Sequence, residues 1–281
     1  MRLLTATVLI FVMFVTLSFS GDIQTLKKKI EIGSEQSIEV NMDMGLADIT
    51  VSPGDGKYIV QAVVIYDADY IKQSIDYTPG KNGVLDIESK KRKGSIEHWD
   101  DVKNEWELIF TTEVPMEFNL DLGLGECEMD LSKILLTDVD FDIGLSELYL
   151  EFNKPNKQQL DRMKIDTGLG EVKIKGLLNA NFEEFVFSGG LGSSELYFTG
   201  ENSRVCEAKI EVGLGSLEIY LQAGLPVKVI SESSFLSSIN IEDMKKIRKG
   251  VHVSRDWDED APNRLILTLE VGLGSITVEW D

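Results

Sequence analysis

The chain has 281 residues, 43% of them hydrophobic, which is enough for one or two domains with a sizeable core and too apolar for a disordered polymer. Acidic residues outnumber basic ones 48 to 28, and the net charge of −20 argues against nucleic acid and against adhesion to anionic lipid through a basic patch. Two cysteines are too few for a disulfide framework, and two histidines leave little scope for a histidine-rich metal site.

Met1-Arg2 precedes an apolar run from Leu3 to Phe19, and Ser18-Phe19-Ser20 puts small residues at −3 and −1 before Gly21. Residues 1–20 have the layout of a secretory signal peptide. A retained anchor is the alternative, because the run reaches the lower limit for a span. Either way the remainder is expected in an extracytoplasmic space (periplasm, cell surface or medium), with no membrane span after signal cleavage.

Residues 57–66 and 83–89 read as strands, with strong turn chemistry in Pro79-Gly80-Lys81-Asn82-Gly83 between them. A charged loop over 90–105 leads to a strand at Trp106–Thr111. Residues 22–117 are therefore expected to form an N-terminal sheet that caps a stack built from the rest of the chain.

A motif organises that stack. Asp-Met-Gly-Leu-Ala-Asp at 43–48 returns as Asp-Leu-Gly-Leu-Gly-Glu at 121–126, Asp-Ile-Gly-Leu-Ser-Glu at 142–147 and Asp-Thr-Gly-Leu-Gly-Glu at 166–171. Ser-Gly-Gly-Leu-Gly-Ser stands at 188–193, then Glu-Val-Gly-Leu-Gly-Ser at 211–216 and again at 270–275. With the first glycine of each Gly-Leu pair as origin, the anchors are Gly45, Gly123, Gly144, Gly168, Gly190, Gly213 and Gly272. The five central anchors are 21, 24, 22 and 23 residues apart. Every copy is apolar at −5, −3 and +6, and most are at +4, the period of two of a strand with one buried face. Parity slips by one residue at the glycines, where a bulge or tight corner is expected.

Rungs of about 22 residues, all-β and carrying the same columns, predict a β-solenoid (β-helix-like) with Gly-Leu-Gly corners. Residues 118–224 form the central rungs and 225–281 the other end, with strands at Val227–Ile230 and Ile239–Ile241 and a short charged helix or loop over 242–250.

Several stretches carry a resemblance: Met44-Gly45-Leu46-Ala47-Asp48-Ile49-Thr50-Val51, Trp106-Glu107-Leu108 through Val114-Pro115, Asn179-Ala180-Asn181-Phe182-Glu183-Glu184-Phe185, and Gly224-Leu225-Pro226-Val227-Lys228-Val229. Together they resemble the bacterial toast-rack family of unknown function, and the last is similar to the C-terminal domain of LiaF-like cell-wall-active-antibiotic response proteins. The resemblance implies an extracytoplasmic β-solenoid associated with the cell envelope and its stress response, and brings no catalytic residues. The transmembrane helices of the LiaF-like members have no counterpart here.

The chemistry-bearing feature is a pair of acidic columns. At −2 stand Asp43, Asp121, Asp142, Asp166, Ser188, Glu211 and Glu270; at +3 stand Asp48, Glu126, Glu147, Glu171, Ser193, Ser216 and Ser275. In a parallel stack, Asp121, Asp142 and Asp166, like Glu126, Glu147 and Glu171, would be neighbours whose repulsion raises their pKa or calls for a cation, and hard oxygen ligands suit Ca²⁺. A solvated face screened by water and salt is the simpler reading of the same columns. No other cofactor is expected.

Asp256-Trp257-Asp258-Glu259-Asp260 starts like an EF-hand loop, but Ala261 stands where glycine is needed and Leu267 where glutamate is needed. Cys127 and Cys206 fall four rungs apart, beyond bridging distance, and read as buried apolar residues. His98 and His252 have no partners at ligand spacing. Trp99, Trp106, Trp257 and Trp280 fit either the closing of the stack ends or a sugar-stacking surface.

The expectation is a non-catalytic envelope scaffold or adhesion module whose partner is an unknown envelope protein or polymer. A calcium-binding protein is the alternative. A polysaccharide-active β-helix enzyme, with Asp100 or Asp101 in its irregular loop, is a further one.

Overall fold

The computed structural model describes residues 23–92, 102–233 and 237–281. Residues 1–20, read from the sequence as a signal peptide, and His98, Trp99, Asp100 and Asp101 lie outside the described residues. Among the described residues the fold is all-β apart from one 3₁₀ turn at Leu177–Ala180.

Four long strands form its centre: β8 (Met116–Asp130), β9 (Leu136–Glu151), β10 (Leu160–Lys175) and β11 (Phe182–Phe198). With β12 (Cys206–Leu221) they pair in parallel, each with the next along the chain. Each strand is one copy of the motif, and the register aligns the anchors: Leu120 pairs with Phe141, Phe141 with Ile165, Ile165 with Phe187, and Phe187 with Ile210. The two outer copies are each split over two strands. On one side β2 (Ser37–Leu46) and β3 (Asp48–Pro53) pair with β8; on the other β17 (Leu265–Val271) and β18 (Ser275–Trp280) pair with β12.

Burial tracks the columns. All residues at −5, −3 and +6 are buried, and all at +4 except Ser194. Both halves of each strand feed one continuous core. Phe118 lies between Phe110 and Phe141 at 5.3 and 5.5 Å, contacts that add to their burial. The 3₁₀ turn contributes Leu177, Leu178 and Ala180 to the same core.

The five central strands run unbroken through the glycine motif, where a bulge or tight corner was expected, and glycine serves two separate needs there. Gly168 has ordinary φ, but a Cβ there would sit 2.5 Å from the Gly144 carbonyl oxygen, so close backbone approach excludes a side chain. Gly170 adds a φ of +150°, which L-residues rarely adopt. Its counterpart Ser146 avoids positive φ, and its hydroxyl donates to the Gly125 carbonyl at 2.5 Å.

The sheet forks at both ends of the stack. β6 (Asn82–Lys91) continues from β2 in parallel and folds back on β5 (Ile71–Thr78) as a hairpin. β7 (Asn104–Phe110) continues from β3, then pairs antiparallel with β4 (Tyr58–Asp67), which carries β1 (Ile23–Glu31). At the far end β13 (Val227–Ser233) and β14 (Ser238–Ile241) pair with β17 and β18.

The charged segment 242–250, expected as a helix or loop, instead contains the strand β15 (Lys245–Arg248), paired antiparallel with β16 (Val251–Val253). Charge hid it, and an outermost strand has reason to be charged. Among the described residues β15 and β1 each pair with a single neighbour, and the exposed Lys27, Lys29, Lys245 and Lys246 there discourage edge-to-edge association.

Candidate functional site

The strand register carries both acidic columns from each parallel strand to the next. Asp121 pairs with Asp142 and Asp142 with Asp166; Glu126 pairs with Glu147 and Glu147 with Glu171. The rows differ in how their charge is met. Lys164 reaches Asp166 of the −2 row at 2.6 Å and Asp140, two residues before Asp142, at 3.3 Å, while Lys209 reaches Glu211 at 2.6 Å and Glu270 at 3.8 Å. Lys90 contacts Asp43 at 3.3 Å.

Burial works to raise Asp166, but hydrogen bonds from Lys164 and Ser188 and the charges of Lys164 and Arg162 outweigh it and hold the carboxyl below its usual range. Asp121 goes the other way, lifted by burial and by the charges of Asp142 and Asp43. Among the described residues no ion pair meets Glu126, Glu147 or Glu171 of the +3 row; Asp48, at its head, accepts the Glu126 backbone N–H at 3.1 Å. An open groove of about 410 Å³ is lined by this row together with Tyr149 and Lys173. No group of three or more His, Cys, Asp and Glu side chains among the described residues converges as a metal cage would require.

Between the rows stands the leucine next to each anchor glycine. Leu145, Leu169, Leu191, Leu214 and Leu273 are 47 to 52% exposed. Leu145 pairs with Leu169, Leu169 with Leu191 and Leu191 with Leu214, so they form a ridge along the stack. The sequence marked these positions only as part of the glycine motif. The signal was present, an apolar residue in all seven copies, but the parity slip at the glycines hides which way it faces. The bridging lysines were missed because Lys164 and Lys209 stand in the −4 column and reach across.

The other candidate residues have structural surroundings. Cys127 and Cys206 are free and buried, and burial pushes both thiols up to about 12. Trp106 is buried, Trp280 packs against the core, and Trp257 lies under the Lys228 ammonium at 5.6 Å. Asp258 accepts the Asp260 backbone N–H at 3.0 Å, closing a local turn. Burial and the charge of Lys246 lower the pKa of His252. Among the described residues no helix is long and apolar enough to cross a membrane.

No curated protein matches the chain. A Clostridium sporogenes crystal structure provisionally named as a cell adhesion protein is similar at 17% identity and a TM-score of 0.49, covering 92% of this chain and 100% of that one. An adhesin, also provisionally named, from Parabacteroides merdae is 13% identical with a TM-score of 0.36, over 92% and 97% of the two chains. A lipid-binding protein, again a provisional name, from Parabacteroides distasonis is 12% identical with a TM-score of 0.36 over the same shares. The family described as the N-terminal domain of toast_rack, DUF2154, matches residues 19–175, and with its motif copies stacked in register the chain belongs to that toast-rack family of unknown function.

Proposed function

We propose that this chain is a non-catalytic, extracytoplasmic interaction module: a β-solenoid that offers a long repeated face to another macromolecule at the cell envelope, in keeping with a part in envelope stress. The observation that carries the reading is the register. Seven copies of one motif stack so that like side chains recur at strand spacing, about 4.8 Å, on a stiff, continuously hydrogen-bonded sheet. The secretory layout of residues 1–20 supports export. The regularity of the carboxylate rows supports a non-catalytic role, since catalytic sites usually break local regularity.

The test is site-specific photocrosslinking in cells, with the crosslinker placed in turn at Glu147, Leu191, Tyr197 and Glu218 on the outward face. A discrete adduct to an envelope component is expected from at least one position. No adduct from any of the four sinks the reading.

A second reading has one observation behind it: Asp121 is held up by burial and by the charges of Asp142 and Asp43, crowding that a bound cation would relieve. Asp121, Asp142 and Asp166, with Glu126, Glu147 and Glu171, would then take up Ca²⁺ along the rows. Thermal unfolding in EDTA, Ca²⁺ and Mg²⁺ at matched ionic strength tests it. Ca²⁺ at about 100 times its dissociation constant would add about 2.7 kcal/mol. Equal midpoints in all three buffers overturn it.

A further inference from the structure

We propose that the leucine ridge is a docking surface for a cationic amphipathic helix of a protein partner. The inference rests on the interaction reading above and names the face and the chemistry of its occupant.

Among the described residues the large hydrophobic side chains that stand exposed are Tyr70, Ile247 and the five ridge leucines. Scattered exposed leucines need no explanation, but five in one aligned row do. Nothing about the local backbone demands leucine. The glycine before each ridge leucine meets the backbone of the preceding strand, whereas the leucine side chain is about half exposed, an outward setting that does not by itself call for an apolar residue.

The ridge runs through five rungs, about 19 Å at strand spacing. Some 13 residues of α-helix cover that length, and the helix pitch of about 5.4 Å comes close to one apolar residue per rung. An amphipathic helix laid along the stack can therefore keep its apolar stripe on the leucines for its whole length.

Charge selects among occupants. Asp142, Asp166, Glu211 and Glu270 flank the ridge on one side, and Glu147 and Glu171 on the other. Lys164 and Lys209 answer part of the first row; Glu147 and Glu171 have no ion pair among the described residues. A second copy of a chain of net charge −20 would bring carboxylates against carboxylates. A ridge one side chain wide also falls well short of the roughly 800 Å² per partner of a stable interface. An anionic bilayer is repelled for the same electrostatic reason. Lysines or arginines on both flanks of an apolar stripe meet the rows directly.

The experiment uses the full chain and three synthetic 18-residue peptides, with binding monitored by fluorescence anisotropy. They are an amphipathic Leu/Lys helix, the same composition scrambled to remove amphipathicity, and a Leu/Glu counterpart. The Leu/Lys helix is expected to bind at least tenfold tighter than the scrambled peptide, more weakly as salt rises, and the Leu/Glu helix not at all. L169S/L191S/L214S and, separately, E147Q/E171Q are each expected to weaken binding at least tenfold. The second variant leaves the apolar ridge intact and keeps the test open should the first fail to fold.

The proposal falls if the Leu/Lys helix does not bind, or binds the ridge variant as well as the original chain. It falls equally if the ridge substitutions abolish a self-association seen by sedimentation, or a partitioning into zwitterionic vesicles. A crosslinked adduct in cells combined with no peptide binding removes the ridge alone; neither adduct nor binding removes the interaction reading with it.

Discussion

Replacing Gly170 by alanine should be among the most damaging single-methyl additions to this fold. The new Cβ would sit 1.8 Å from the Ser146 carbonyl oxygen and 2.9 Å from its carbon, both backbone atoms of the adjoining rung. Ordinary van der Waals contact begins well beyond 3 Å, so the rungs must part locally by more than 1 Å, or residue 170 must leave its φ of +150°. Leaving costs hydrogen bonds to the strands on either side, at about 1 kcal/mol each. Staying costs about 1–3 kcal/mol of backbone strain before the clash is counted. The total is about 3–5 kcal/mol, or roughly 10 °C in melting midpoint for a chain of this size. Gly224 supplies the control: its φ is +80°, but a Cβ there meets nothing within 4 Å, so Gly224→Ala carries the strain alone, about 1 kcal/mol. Calorimetric melting of both variants decides. Equal midpoints for the two would refute the claim that rung-to-rung approach, rather than φ alone, requires the glycine.

Two aspartates of one row should respond to neutralisation with opposite signs. Asp166 is depressed, so its ionised form stabilises the fold above the ordinary carboxylate pKa, and that contribution is lost as pH falls through the lower folded value. Asp121 is raised, so its ionisation costs stability as pH rises past the ordinary value. D166N should therefore destabilise and D121N stabilise at pH 7, each by about 0.5 kcal/mol or less on so exposed a face, with both differences vanishing in strong acid; a shared sign in urea titrations at pH 7 would contradict the lysine bridge. Asn104 is buried, accepts the Trp106 indole N–H at 2.9 Å, and donates to the Ser89 hydroxyl at 2.7 Å and to the Leu46 carbonyl. N104A strands those partners and should cost about 3 kcal/mol in urea unfolding, where a loss under 1 kcal/mol would mean that water replaces the amide. Cys127 and Cys206 should resist a thiol reagent in the folded chain at pH 8 and react stoichiometrically in denaturant, because burial holds both thiols near 12; rapid labelling of the native protein would place them at the surface.

Much of the stack was legible before any coordinates because a repeat supplies its own alignment. Leu120, Phe141, Ile165, Phe187 and Ile210 share a column in the sequence and are paired in space, since like side chains packing on like side chains favour the unshifted register. The ends were less legible. β1, with Lys27-Lys28-Lys29, and β15, with Lys245-Lys246-Ile247-Arg248, lack an alternating apolar face, and their pairing partners lie where no local pattern points. The acidic rows were visible as columns, but not their unequal charge: Lys164 sits two residues from Asp166 in its own strand and one rung from Asp140, and only the stacked geometry lets it bridge both.

The amino-acid pattern alone carries the all-β character, the spacing of about 22 residues between the central paired strands, the residues that face the core and the approximate places of the strands. Periodicity of two and a repeat of about 22 residues encode those features locally. Tertiary structure alone decided which side of the sheet each post-glycine leucine takes, why Gly168 and Gly170 are needed for different reasons, and which carboxylates are answered by lysine. Those depend on distances between rungs, where a carbonyl oxygen, a leucine or an ammonium group from another turn of the chain arrives at a position its own neighbours in sequence do not specify.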